Sequence, residues 1–345
     1  MKKLNLFIIA SLAVLLGACS GSSKQIVTGA GATFPLPFYN MAFKEYQTQT
    51  GTSISYGGIG SGGGVRSLKD KTVDFAGSDA YLSEKELADM GAEVIHIPTC
   101  MGAVVLAYNL PSVSDLVLDG ETVADIFLGK ITAWDDSKIK ALNPGVELPS
   151  TNITPVYRSD GSGTTFVFSD YLTKVSQDWA EQMGTAKSLK WNTGIAAKGN
   201  PGVAGVIKES EGSIGYVGSE YGFALNIATA TMKNSAGNLV KPTSESISAS
   251  ASSEIPADMR VMITNSPAEF AYPISCFTWI ILYKEQAYNG RSEQAAKNTV
   301  ELAKWIIGSD AQDLTTKVHY SPLSSEVVAG AMKLLDGVTY NGEKL

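Results

Sequence analysis

Three stretches of the chain place small residues and hydroxyls between the end of a short apolar run and the start of a helical pattern. They are Gly29-Ala30-Gly31-Ala32-Thr33-Phe34-Pro35, Gly58-Ile59-Gly60-Ser61-Gly62-Gly63-Gly64 and Arg158-Ser159-Asp160-Gly161-Ser162-Gly163-Thr164-Thr165. Small residues let the backbone come close to a ligand. A helix N-terminus adds unpaired N–H donors and a partial positive charge. One such start does no more than cap its own helix, which is the ordinary use of Ser, Thr and Gly there. Three in one chain, one of them carrying Arg158, point to an anion site.

Two carboxylates belong to the same neighbourhood. Asp160 is two residues from Arg158, a spacing suited to a salt bridge that braces the guanidinium fork while it grips oxyanion oxygens. Asp79, in Gly77-Ser78-Asp79-Ala80, follows the predicted strand Val73–Ala76. Strand ends are where open α/β sheets bind ligands; the plainer reading is a turn or cap aspartate. An ionised carboxylate only accepts hydrogen bonds. In an anion site it repels an oxyanion without a proton and accepts a bond from one that carries a proton. Phosphate near neutral pH carries one and sulfate does not. Discrimination of this kind reaches factors on the order of 10⁴.

Competing chemistries fit the residues less well. Gly58-x-Gly60-x-x-Gly63 has dinucleotide-loop spacing, and Asp79 lies near the right distance, but the glycines follow the second strand rather than the first. Gly64-Val65 stands where a P-loop needs Lys-Ser/Thr, and neither Ser61 nor Ser162 sits in a Gly-x-Ser-x-Gly elbow. The two histidines, His96 and His319, are far apart, and no Cys/His cluster has metal-ligand spacing. No cofactor, no metal and no catalytic residue is expected. A formal net charge of −7 argues against nucleic acid. It does not argue against a small anion, which in a cleft feels local dipoles more than net charge.

The elements that must position these residues follow from the periodicity. Residues 1–18 read as a signal peptide, with Lys2 and Lys3 ahead of the apolar run Leu4–Leu16. Leu16-Gly17-Ala18-Cys19 looks like a bacterial lipobox, so Cys19 is the expected lipidation site and 19–24 a short polar tether. Beyond it, strands are expected at Gln25–Thr28, Ser53–Tyr56, Val73–Ala76, Val94–Pro98 and Ala103–Tyr108, with helices at Pro35–Thr50, from Val65 and at Ser83–Met90. Further on, strands are expected at Thr154–Arg158, Ile214–Val217 and Ile274–Tyr283, and helices at Thr164–Val175, Val203–Glu209 and Ala295–Ile307. This β-α-β order implies an α/β fold of two lobes, each a mixed, mostly parallel sheet flanked by helices. The Ser-, Ala- and Pro-rich stretch Asn234–Ala257 reads as a surface excursion. With no obvious linker, the chain is expected to cross between lobes twice, near 99–102 and 272–276. Lobe 1 is then 25–98 with 277–345, lobe 2 is 99–276, and the ligand cleft lies between them. Cys100 and Cys276, both in apolar runs near those crossings, are a possible disulfide or two buried thiols.

With these motifs in this order, nearly the whole chain after the leader resembles the periplasmic phosphate-binding receptors of the phosphate-specific ABC importer, a family of type II-like periplasmic binding proteins. The resemblance also rests on Val73-Asp74-Phe75-Ala76-Gly77-Ser78-Asp79-Ala80, Ile126-Phe127-Leu128-Gly129-Lys130-Ile131, Trp134-Asp135-Asp136 and Leu142-Asn143-Pro144-Gly145. It implies that Thr33 and Phe34 give backbone N–H donors, the Thr33 hydroxyl also donating. Ser61 donates through hydroxyl and N–H, and Asp79 accepts the phosphate proton. Arg158 makes charged bonds braced by Asp160, and Ser162, Gly163 and Thr164 donate from the second lobe. The chain departs from the family at Gly62, where Ser is common, and at Tyr157, where a second basic residue can occur. The resemblance further implies a monomeric receptor on the extracytoplasmic face of the cell membrane, lipid-anchored, whose partners are inorganic phosphate and the importer's permease. On the residues alone a sulfate receptor and a secreted phosphatase stay open.

Overall fold

The computed structural model describes residues 26–251 and 254–345, so the leader, Cys19 and the tether lie outside the described residues. Eight strands build the main sheet: β1 (Ile26–Gly31), β2 (Ser53–Gly58), β3 (Phe75–Ser78), β4 (Val94–Tyr108), β5 (Thr154–Arg158), β6 (Ile195–Ala197), β7 (Ser213–Gly218) and β8 (Ser275–Tyr283). They lie in the order β2-β1-β3-β8-β4-β7-β5-β6, and the short strand Ala228–Thr229 also pairs with β4. The outer ladders, β1 with β2 and β3 and β5 with β6 and β7, are parallel. The central strands β8 and β4 run antiparallel to their neighbours.

Helices connect and cover these strands: α1 (Leu36–Thr50), α2 (Ser61–Lys69), α3 (Glu84–Asp89), α4 (Gly120–Phe127), α5 (Gly163–Val175), α6 (Gly199–Glu209), α7 (Ser219–Leu225), α8 (Glu293–Ile306) and α9 (Ser325–Leu335). Their ends are written locally. α1 starts at Pro35 and stops at Gly51, whose φ of 75° suits the left-handed C-cap. α3 closes the Ser83–Glu86 capping box. α1, α2 and α8 pack on β1–β3, whereas α5 and α6 pack on β5 and β7.

Two expectations change. Val94–Pro98 and Ala103–Tyr108 are one strand, buried along its whole length. Its first part pairs with β8 and its last residues with β7. The interruption at Thr99 is a bulge, since Thr278 faces Cys100 while Trp279 faces Pro98. Residues 99–102 are therefore part of this strand. The stretch Asn234–Ala257 is also less exposed than expected. It carries the strand Leu239–Val240 and the helix Ser244–Ser248. Ser246 and Ile247 are buried, and the Ser246 carbonyl accepts from the Tyr272 N–H.

The cysteines resolve the same way. Cys276 lies opposite Gly102 and Cys100 opposite Thr278, which makes the two cysteines diagonal neighbours. Diagonal positions sit about 7–8 Å apart, too wide for a disulfide, whose Cβ atoms need about 4 Å. Both are fully buried free thiols, and the disulfide left open by the sequence is not formed. Burial pushes both thiols well above their ordinary pKa. Cys100 and Cys276 are therefore expected to stay unreactive toward a thiol reagent at pH 8 in the folded protein. In guanidinium without reductant both should react at once, counted by absorbance; a lasting deficit of two thiols would mean a disulfide.

Candidate functional site

The turns after β1, β2 and β5 and the end of β3 open toward one place, because in this topology the C-terminal ends of the two parallel ladders face each other across the central strands. Thr33 and Phe34 stand in the turn after β1, Ser61 is the first residue of α2, and Asp79 follows β3. Arg158 ends β5; Asp160 follows it, Ser162 caps α5, and Gly163 and Thr164 begin it. Phe34, Ser61, Ser162 and Thr164 are fully buried, and Thr33, Asp79 and Arg158 nearly so.

Direct bonds join the two halves of the sheet here. The Ser61 hydroxyl accepts from the Gly163 N–H at 3.0 Å and from the Asp79 N–H at 3.3 Å. The Gly62 N–H donates to the Gly161 carbonyl at 2.9 Å. At the rim, Glu86 of α3 pairs with Lys187 at 2.6 Å. The backbones are so close that glycine is required at two points. A Cβ on Gly163 would lie 2.4 Å from Ser61 Oγ, and one on Gly60, whose φ is +84°, would lie 2.3 Å from Asp160 Oδ2.

One residue that the sequence reading missed completes the set. Asn200, the second residue of α6, is fully buried. Its backbone N–H and its Nδ2 both donate to Thr33 Oγ1 at 3.0 Å, and Nδ2 also donates to Thr164 Oγ1 at 3.1 Å. Its Oδ1 accepts from the Gly218 N–H at 3.0 Å. The signal was present as a fourth small-residue helix start, Lys198-Gly199-Asn200-Pro201-Gly202. Thr278, within the apolar run of β8, was missed too; its hydroxyl donates to Asp79 Oδ1 at 2.8 Å. Tyr221 and Tyr320 donate to the carbonyls of Thr33 and Phe34, and Tyr56 to that of Ala32.

A hydroxyl has two lone pairs and one proton. Ser61 Oγ takes donors from Gly163 and Asp79, Thr33 Oγ1 takes two from Asn200, and Thr164 Oγ1 takes one from Asn200 and one from Arg158 Nη1 at 3.3 Å. With both lone pairs filled, each of these hydroxyls can only donate. Three buried hydroxyls from both halves are thereby fixed as donors, a pattern that suits an acceptor-rich anion.

The charged groups are arranged around them. Arg158 grips Asp160 in a fork, Nε to Oδ1 at 2.8 Å and Nη2 to Oδ2 at 2.6 Å, and the Gly199 N–H adds a bond to Oδ1 at 3.0 Å. Burial alone would raise the Asp160 pKa, but the Arg158 fork and the Gly199 amide outweigh it and hold the carboxylate below its usual range. Asp79 has the opposite fate. Burial lifts it to about 7, against the pull of Thr278, Arg158 and the Thr164 hydroxyl. Glu220, on α7 and nearly fully buried, is pushed well above the ordinary carboxyl range by burial. A surface hollow of about 560 Å³ beside Leu87, His96 and Arg260 lies elsewhere. There Arg260 is already paired with Asp258 and Glu84. Among the described residues, no group of His, Cys, Asp and Glu could hold a metal ion, and no helix is long and apolar enough to cross a membrane.

Known proteins place the chain in the same company. The family model of the PBP superfamily domain matches residues 18–310. The phosphate-binding protein PstS of Haemophilus influenzae is 39% identical over 334 residues, covering 95% of this chain and 96% of that one. The protein of that name from Methanocaldococcus jannaschii is 33% identical over 337 residues, covering 88% and 86%. Among solved structures, the high-affinity periplasmic phosphate-binding protein PfluDING, bound with phosphate, superposes with a TM-score of 0.70 at 21% identity, covering 91% of this chain and 99% of that one. A phosphate-binding protein from Stenotrophomonas maltophilia gives 0.68 at 21%, covering 90% and 93%. At such identities the two structures speak for the two-lobed fold.

The protonation of Asp79 is measurable without a ligand. Unfolded Asp79 releases its proton near pH 4, while the folded residue keeps it until about 7. Between those values the folded state holds the extra proton, so this contribution to stability is full below pH 4 and is lost as pH rises to 7. The Asp79→Asn variant, which does not titrate, is therefore expected to match the wild type near pH 4. At pH 8 it should be the more stable, by on the order of 1–4 kcal/mol at about 1.4 kcal/mol per unit. Urea unfolding of phosphate-stripped protein at both pH values checks this; equal stability at pH 8 would count against a raised Asp79.

Proposed function

The chain belongs to the PBP superfamily and, within it, to the PstS phosphate-binding proteins, and from that membership we propose that it captures inorganic phosphate between its two lobes and delivers it to an ABC import permease. The observation that carries this reading is the set of three buried hydroxyls, on Thr33, Ser61 and Thr164, whose lone pairs are all filled. Donors of that kind, joined by the Arg158 fork, match a tetrahedral anion and little else. Backbone N–H groups of Thr33, Phe34, Ser61, Ser162, Gly163 and Thr164 add further donors at helix starts. Asp160 serves by holding Arg158 in place.

Asp79 selects among anions. Ionised, it accepts the proton that phosphate brings and repels sulfate, which brings none. With its carboxyl poised at about 7, it can instead donate once it is protonated, so selection depends on pH.

The lobes in this reading are 25–98 with 277–345 and 99–276, hinged where β4 and β8 pass between them. Residues 1–18 act as an export signal, and Cys19 carries lipid that tethers a monomeric receptor to the extracytoplasmic face of the cell membrane. No catalysis and no cofactor enter. A phosphatase reading would need a nucleophile activated by a base, and Ser61 Oγ instead accepts from the Gly163 and Asp79 N–H groups.

Calorimetry with phosphate and sulfate tests the reading. At pH 8 phosphate is expected to bind more tightly than sulfate by about 10³-fold or more. The gap should narrow as pH falls below 7, and Asp79→Asn should close most of it at every pH. Sulfate binding as tight as phosphate at pH 8 would refute the role of Asp79, and hydrolysis of a phosphate ester by the pure protein would revive an enzyme.

A further inference from the structure

We infer that Asn200 is a positioning residue for the anion site, fixing the direction of the Thr33 and Thr164 hydroxyl protons so that they meet the ligand as donors only when the two halves of the sheet are together. The inference rests on the phosphate reading of the site.

The amide cannot be turned round. Its Oδ1 must accept the Gly218 N–H, so Nδ2 must face the hydroxyls; the flipped amide would set N–H against N–H. The two protons on Nδ2 then go to Thr33 Oγ1 and Thr164 Oγ1. A helix-start asparagine with a purely local task would need only the Gly218 bond. Here both remaining valences go to hydroxyls on two other elements, one in the turn ahead of α1 and one in α5. The Thr164 contact stays within the half of the sheet that carries α5 and α6. The Thr33 contacts, from side chain and backbone alike, cross to the other half.

The consequence for an anion is direct. A threonine hydroxyl with a vacant lone pair can rotate and present oxygen to the ligand's oxygen, which repels. With Asn200 in place the lone pairs of Thr33 and Thr164 are occupied, and only protons remain. The crossing bonds make the Thr33 part of that arrangement conditional on the halves meeting, so assembly of the cleft and preparation of the donor are one event. Asn200 need not touch the anion to do this.

The test is calorimetry with inorganic phosphate on the full-length protein, with thermal unfolding recorded for each variant. Asn200→Ala, which frees the hydroxyls to rotate, should weaken binding about 10-fold, the worth of a hydrogen bond or so. Asn200→Asp puts acceptors where donors were and turns the hydroxyl protons away from the ligand. It should weaken binding by about 100-fold or more at pH 8. Part of that loss should return at pH 5, where the introduced carboxyl can regain a proton, a pH profile that a change of packing alone would not produce. In a Thr33→Val, Thr164→Val background the Asn200→Ala substitution should change affinity by less than about twofold, because the groups it acts through are gone. Asn200→Ala binding within about twofold of wild type, or an equal loss in the valine background, would overturn the inference. If Asn200→Asp does not fold, the alanine and valine cycle decides alone. Failure of the wild type to bind phosphate would instead defeat the phosphate reading itself.

Discussion

An oxyanion drawn out of water must find a donor in every direction and no oxygen lone pair turned toward it. Hydroxyl groups are poor material for this because each can reverse its role by rotating. In the site proposed for this protein the lone pairs are filled first. The backbone amides of Gly163, Asp79 and Asn200, the side-chain amide of Asn200 and the Arg158 guanidinium occupy both acceptor positions of Thr33, Ser61 and Thr164. The glycines that bring those amides close, Gly60 and Gly163 above all, leave no space for a side chain. The donors thus depend on the close approach of two backbones, and the approach depends on the sheet.

The sheet is arranged to permit it. Parallel ladders at both ends direct their strand–helix turns inward, while the antiparallel pair β4 and β8 ties the halves together. β4 contributes to both, pairing with β8 and then with β7. Two continuous strands restrain the halves more than loose linkers would, and the bulge at Thr99 is one place where such a strand can bend. The same strands bury Cys100 and Cys276.

Charge is handled locally rather than globally. The chain is acidic overall, at −7, yet the carboxylates near the site behave in different ways. The Arg158 fork holds Asp160 below the usual carboxyl range, burial pushes Glu220 well above it, and burial lifts Asp79 to about 7. The same functional group is shifted down by a paired guanidinium or up by burial according to what surrounds it. An environment that raises Asp79 also makes it sensitive to the protons a ligand brings.

What the sequence determined by itself was a set of features that depend on near neighbours. The three helix starts, the Arg158–Asp160 spacing, Asp79 at a strand end and the β-α-β order are all readable over a few residues, because capping, turn chemistry and periodicity act at that range. The structure brings these residues to one place. The tertiary structure alone decided what depends on residues far apart in the chain. Asn200 carries no mark of its task beyond another small-residue helix start, since its partners lie 167 and 36 residues away. Thr278 was hidden in an apolar strand, and its contact with Asp79 spans 199 residues. Two segments that read as separate strands proved to be one, because a bulge interrupts the pattern without ending the pairing. The spacing of the cysteines was set by strand register. Hydrogen-bond direction, burial and register are properties of the assembled fold, and no local stretch of sequence contains them.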